Sequence, residues 1–261
     1  MTAYSARRRL LRRAAIGAIV VTLFLAAALR CDVRPEIFRQ GLGQGPNFIA
    51  SFFPPLWSAA GEMVTPVLIT IVLATSATLL GLFLSFPVGL AAASNVAPAW
   101  LRQPVRVLLG VERAVPETIL LLFFVVAFGL GPLAGVFSLA LGSIGMLGKL
   151  LGDAMEEVDP AVVDSVRAAG ATFWQTIRYG LLPQVLPALA AHTLFRFDVN
   201  VRNSVVLGAI GAGGIGEEIA HSMGMIQYER ATIAVLGSLL VIYTAEAVSG
   251  RLRRRLLGAE A

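Results

Sequence analysis

The chain is poor in the residues that soluble proteins need most. Of 261 residues only 14% are charged, about half the usual share, and there is one cysteine, Cys31, and two histidines. Scarce charge alongside 57% hydrophobic residues excludes intrinsic disorder. A single cysteine excludes a disulfide-stapled secreted fold. His192 and His221 stand 29 residues apart with no cysteine or second histidine nearby, so no zinc site is expected. A Walker A loop is also missing: at Gly148-Lys149 the first glycine position holds Ser143 and the residue after the lysine is Leu150. No nucleophile elbow for Ser/His/Asp chemistry is present. No catalytic residue, no metal and no cofactor bound by this chain is expected.

What the chain has in abundance is long apolar runs. A helix of about 20 apolar residues crosses roughly 30 Å of hydrocarbon. Candidate spans are Ala14 to Leu29, Val67 to Ala93, Val107 to Leu130, Pro132 to Leu151, Leu181 to Ile210 and Ala231 to Val248. These runs are continuous, whereas a membrane β-barrel needs alternating segments of about ten residues. The fold class is therefore all-α: a polytopic membrane bundle of about six helices. A basic stretch, 1–13, precedes a single transmembrane domain, 14–261. Within it, 31–65 is an outer segment whose Pro35, Gly41, Gly43, Gly45, Pro46, Pro54 and Pro55 argue against a long regular helix. Its Phe48, Ile49, Phe52, Phe53 and Trp57 are expected at the membrane surface.

Charge sets the orientation. With both termini inside, fifteen of the 21 cations fall in inner loops and four, Arg30, Arg34, Arg39 and Arg230, outside. That positive-inside bias places the N- and C-termini in the cytoplasm and accounts for the basic balance without nucleic acid. The N-terminus imitates a signal peptide, with its basic start and the small residues Ala26, Ala27 and Ala28. Retention is expected, because cleavage would place the Arg-rich C-terminus outside.

The longest inner connection, 152–182, has its own architecture. Asp159-Pro160 is a helix start, an N-cap acceptor followed by proline at the first helical position. Val162, Val163 and Val166 form one apolar face, Gly170 breaks the run, and Thr172 or Thr176 begins a second short helix ending at Gly180. Pro183 then opens the fifth span. The result is a compact cytoplasmic knob.

Charges within the fifth span need company. Arg196, Asp198 and Arg202 cost about 8–10 kcal/mol together at the membrane centre, and thirteen Leu, Ile, Val and Phe residues between Leu182 and Ile210 return about 4–8. Asp198 and Arg202, four apart, are expected to pair. Arg196 shares another face with His192, Asn200 and Asn203, giving an uncompensated cation among neutral hydrogen-bonding groups. With Pro183 at the inner boundary Arg196 would stand about 20 Å up, in the outer half of the membrane. A fixed charge with several donors suits an anion pathway; a polar seam satisfied inside the bundle is the competing reading. Glu112, Arg113 and Glu117, around Pro116, suggest an inner-face network with the knob. Gly211-Ala-Gly-Gly-Ile-Gly216 satisfies G-x-G-x-x-G but lies after a membrane helix, so a backbone bend is expected there, not a dinucleotide site.

The inner loop resembles that of permease subunits of bacterial ABC importers, whose pattern is Glu-Ala-Ala-x3-Gly-x9-Ile-x-Leu-Pro. Gly170, Leu182 and Pro183 match its spacing, Asp164, Ser165 and Val166 occupy the Glu-Ala-Ala places, and Gly180 replaces the isoleucine. The stretches Arg113 to Glu117, Arg178 to Pro187, Thr193 to Gly216 and the outer Phe52 to Pro55 are similar to the phosphonate transporter permeases. The resemblance implies a type I importer permease in the bacterial inner membrane, working as a homodimer for phosphonate or a related phosphorus oxyanion. It implies separate ATPase subunits carrying ATP-Mg, docked through Asp164, Arg167, Ala168, Gly170 and Ala171, and an extracytoplasmic solute-binding protein. A self-sufficient secondary transporter or channel for a small anion is the alternative.

Overall fold

A computed structural model describes residues 3–30, 34–256 and 258, with backbone alone at 3–11, 28 and 35. Cys31 and the side chains of Arg7, Arg8 and Arg9 lie outside the described residues. Among those described there are helices and turns and no strand. The chain divides into two compact units, 1–53 and 54–261.

The first unit holds α1 (Ala3–Arg30) and α2 (Pro35–Ala50). Helix α2 overturns the expectation that glycine and proline keep the outer segment irregular. Pro35 in its first turn and Glu36 beside it are start signals. Gly41, Gly43 and Gly45 lower helix stability without forbidding helical backbone, and Pro46 forfeits one intrahelical bond.

The second unit opens with a 3-10 turn, Trp57–Gly61, and continues with α3 (Val64–Ala92), α4 (Ala99–Glu112), α5 (Glu117–Phe128) and α6 (Pro132–Glu156). The expected third span is thus two helices. Pro116 holds extended backbone, and the turn over 113–116 separates amphipathic α4 from apolar α5, only 12 residues long. After α7 (Pro160–Ala168) come α8 (Phe173–Thr176), a π turn at Ile177–Leu181 and α9 (Leu182–Leu207). A second π turn, Gly208–Ala212, leads into α10 (Ile215–Gly224) and α11 (Tyr228–Leu256). Among the described residues α3, α6 and α11 are long and apolar enough to cross a membrane. Helix α9 matches them in length but carries the charges.

Helices α3 and α6 run parallel and form the central contact, because small residues let the backbones meet. A Cβ on Gly81 would collide with Ser143 and the Ala140 carbonyl. Leu73, Leu121, Leu139 and Leu207 close one apolar layer, and Leu151, Met155, Leu181 and Val185 another near the inner end.

Helix α11 sets a length scale. Arg230, at its outer end, pairs with Glu62 at 2.9 Å and Glu218 at 2.8 Å. Arg251 comes 21 residues later, about 31 Å along the helix, which matches the hydrocarbon thickness. The next arginine, Arg253, touches Asp198 of α9. Asp198, and with it Arg196, therefore stands level with the arginine-rich end of α11. Pro183 lies well beyond that level, within a helical run from Phe173 to Leu207 that is unbroken and about 50 Å long.

Substituting Gly81→Leu should separate α3 from α6 and destabilise the protein by about 1–3 kcal/mol or more, read as a lower Tm in detergent. Gly110→Ala, where a Cβ meets open space, should leave Tm unchanged.

Candidate functional site

Two places in the second unit concentrate chemistry: a buried polar cluster on α9 and the knob before it. In the cluster Arg196 is 4% exposed and Asn200 fully buried. Arg196 donates from Nε to Ser143 Oγ at 2.8 Å and from one guanidinium nitrogen to Glu117 Oε1 at 3.1 Å, with the Leu139 carbonyl at 3.5 Å. Asn200 donates to Thr78 Oγ1 at 2.9 Å and to Ser143 Oγ at 3.2 Å. One hydroxyl, Ser143, thus accepts from two of the four members of the stripe. Glu117 reaches Arg196 because the Pro116 break starts α5 there, and Ser138 of α6 donates to the Glu117 carbonyl at 2.7 Å. Gly142 leaves room for the Glu117–Arg196 contact.

The expectation of an uncompensated cation on this stripe is therefore corrected. Arg196 has a carboxylate partner from another helix, as desolvation of a guanidinium demands. His192 and Asn203 share its face, are only half-buried and stand outside the hydrogen-bonded cluster. Glu117 turns to α9 and does not join the knob. The expected Asp198–Arg202 pair is also replaced. Asp198 bonds Arg253 at 2.9 Å, and Arg202 lies 3.7 Å from Glu246 between exposed side chains. Asp198 and Arg202 both reach across to α11 because it places Arg253 and Glu246 within side-chain range.

Glu117 was visible in the sequence, but its partner was not. Thr78, Ser143 and Arg253 were missed altogether. Small hydroxyl residues inside apolar spans were the available signal, since such side chains often cross-link membrane helices.

The knob follows its local signals. The Asp159 side chain accepts from the Ala161 N–H at 2.9 Å, and α7 ends as Gly170 adopts φ +84°, a conformation that favours glycine. Thr172 and Gln175 form a capping box that starts α8. Val163 is buried and Val166 packs against Gly180, whereas Val162 is exposed. The valine face is narrower than expected because Ile177 and Gly180 cover only one side of α7. The second helix does not end at Gly180; the π turn carries it into α9. Asp164 and Arg167 pair at 3.5 Å with both side chains exposed, and Ala168 and Gly170 are exposed beside them, with Ala171 half-buried. Phe173, Trp174 and Tyr179 are more than half exposed on the same structure. The G-x-G-x-x-G segment bends the backbone as expected, with positive φ at Gly211, Gly213 and Gly214, and the Ile215 N–H donates to Thr70 Oγ1 at 2.9 Å.

Comparison with known proteins places this geometry. The family described as binding-protein-dependent transport system inner membrane component matches residues 85–258. The chain is 38% identical over 247 residues, 94% of its length, to the phosphate-import permease protein PhnE of Mycolicibacterium smegmatis, but spans only 46% of that relative. It is 40% identical over 215 residues to the phosphite transport system permease protein PtxC of Stutzerimonas stutzeri, covering 82% of this chain and 78% of the relative. Among solved structures, a chain of the MetNI methionine ABC transporter in an inward-facing conformation superposes with a TM-score of 0.64 at 26% identity, covering 74% of this chain and 95% of that one.

In a double-mutant cycle, Glu117→Gln, which leaves the buried guanidinium without its carboxylate, should cost about 3–5 kcal/mol and Arg196→Gln less, with the double variant nearer neutral than their sum. Tm or denaturant midpoints of the purified protein would show the coupling.

Proposed function

The chain belongs to the binding-protein-dependent transport system inner membrane components, and from that premise we propose that it is the permease subunit of an ATP-driven importer for a phosphorus oxyanion. The similarity to a phosphite permease across most of both chains supports the substrate class. In this reading both termini are cytoplasmic, two copies enclose the path, ATPase subunits holding ATP-Mg dock inside, and a solute-binding protein delivers substrate outside.

The observation that carries the proposal is the mechanical continuity of α8, the π turn and α9. Asp164, Arg167, Ala168, Gly170 and Ala171 form the docking surface, and Phe173 and Trp174 extend it. A partner that shifts this knob moves a stiff helix, and with it the cluster of Arg196, Ser143, Asn200 and Glu117. Helices transmit such shifts because hydrogen-bonded backbone and packed side chains have few intermediate arrangements. The ATPases supply the energy, and this chain turns their closure into a change of access.

His192, Arg196, Asn200 and Asn203 line the oxyanion's path in a conformation in which Glu117 has parted from Arg196. Here Glu117 masks the cation, so substrate and carboxylate compete for one guanidinium.

Two outcomes are expected in liposomes holding the assembled transporter. Gly170→Val should reduce ATP-driven uptake at least about tenfold while the permease remains inserted, because a branched residue at positive φ distorts the knob. Arg196→Gln should raise the KM for the oxyanion. An unchanged KM with less folded protein would make the cluster a structural strut, and uptake that persists without the ATPases would establish a secondary transporter.

A further inference from the structure

At the inner end of the second unit, α3, α4 and α6 enclose a cavity of about 150 Å3, and Arg106, Leu109, Arg113, Lys149, Gly152 and Asp153 are among its lining residues. Three cations face one carboxylate there. Arg106 is fixed by its Nε donating to the Ala92 carbonyl at 2.8 Å and by an ion pair with Glu156. Lys149 pairs with Asp153 at 2.6 Å. Arg113 has no ion pair within 4 Å among the described residues, although its stem is held against Gly145. The neighbouring Glu112 turns its carboxylate onto Gly145, which is not part of the lining. The cations of the cavity thus outnumber the carboxylates that pair with them by one.

Size and depth narrow the ligand. The volume equals about five waters at roughly 30 Å3 each, room for a tetrahedral oxyanion of one phosphorus and four oxygens. Lys149 is six residues beyond Ser143 along α6, about 9 Å, which brings the cavity to the depth of headgroup phosphates. Helix α4 suits that depth. Trp100, Val107, Leu108 and Val111 form an exposed apolar face, and Arg102, Arg106 and Arg113 share another face, the pattern of an interfacial helix.

We infer that this cavity binds a phosphate-type oxyanion, with Arg113, which no carboxylate pairs within 4 Å among the described residues, as its leading ligand and Arg106 and Lys149 completing the charge. The same chemistry is offered by the phosphodiester of an anionic lipid and by a free phosphorus oxyanion. The inference does not rest on the transport function: a lipid phosphate would occupy the cavity whatever the protein moves.

The test uses the full chain in nanodiscs of phosphatidylcholine, with and without phosphatidylglycerol. Titration with inorganic phosphate in the neutral discs should show saturable binding if the source is free. Retention of phosphatidylglycerol through detergent exchange, and no phosphate binding, identifies the lipid. Either result supports the site when Arg113→Gln weakens it at least about tenfold, the loss expected for one charge-assisted contact. Lys149→Gln should weaken it less, and it decides the matter if Arg113→Gln lowers Tm. Absence of both ligands, or binding equal to wild type in both variants, overturns the inference.

Discussion

A guanidinium buried among apolar helices must find its partners within the protein, and Arg196 organises the second unit around that need. Its partners come from three places: Glu117 at the start of α5, Ser143 at the middle of α6 and the Leu139 carbonyl one turn earlier. Satisfying it fixes where α5 begins, which face α6 presents and how α9 is rotated between them. Asn200, one turn along, extends the same network to Thr78 of α3. Four helices are thereby registered by a few polar atoms inside an apolar bundle, where hydrophobic contact alone distinguishes poorly between rotations.

The depth of that cluster changes what the charges cost. Arg202 keeps an exposed side chain that can reach water or headgroups, so the penalty appropriate to the membrane centre overstates its cost, whereas buried Arg196 and Asp198 are offset by Glu117 and Arg253. Arg253 shows the same economy from the other helix: it caps Asp198 while its guanidinium lies 5.8 Å from the centre of the Phe195 ring.

Features with local causes were legible in the sequence. Asp159-Pro160, Gly170 and Thr172 each shape the knob through bonds to residues two or three positions away, and the apolar runs of α3, α6 and α11 announce themselves. Features that depend on distant partners were not. The spacing of Asp198 and Arg202 permits a pair, yet both choose partners on α11, because an i,i+4 pair on one helix competes with any charge that a neighbouring helix supplies. Proline misled in both directions. Pro116 splits a run that composition joined, whereas Pro46 sits within a helix that composition denied. Which outcome prevails depends on the surrounding backbone as well as on the proline ring.

The two ends of the second unit differ in how firmly they are tied. Outside, Arg230 bridges Glu62 and Glu218, and Thr70 holds the glycine bend through Ile215, so the 3-10 turn, α3, α10 and α11 are joined by directional bonds. Inside, the knob is held by a small apolar contact of Val163 and Val166 on Ile177 and Gly180, and it exposes Phe173, Trp174 and Tyr179. Large exposed aromatic side chains on a short helical element bury area only when another surface arrives. The knob is therefore less firmly tied than the glycine bend, with the Asp159 N–H donating to Gln184 Oε1 at 3.3 Å as a polar link to α9.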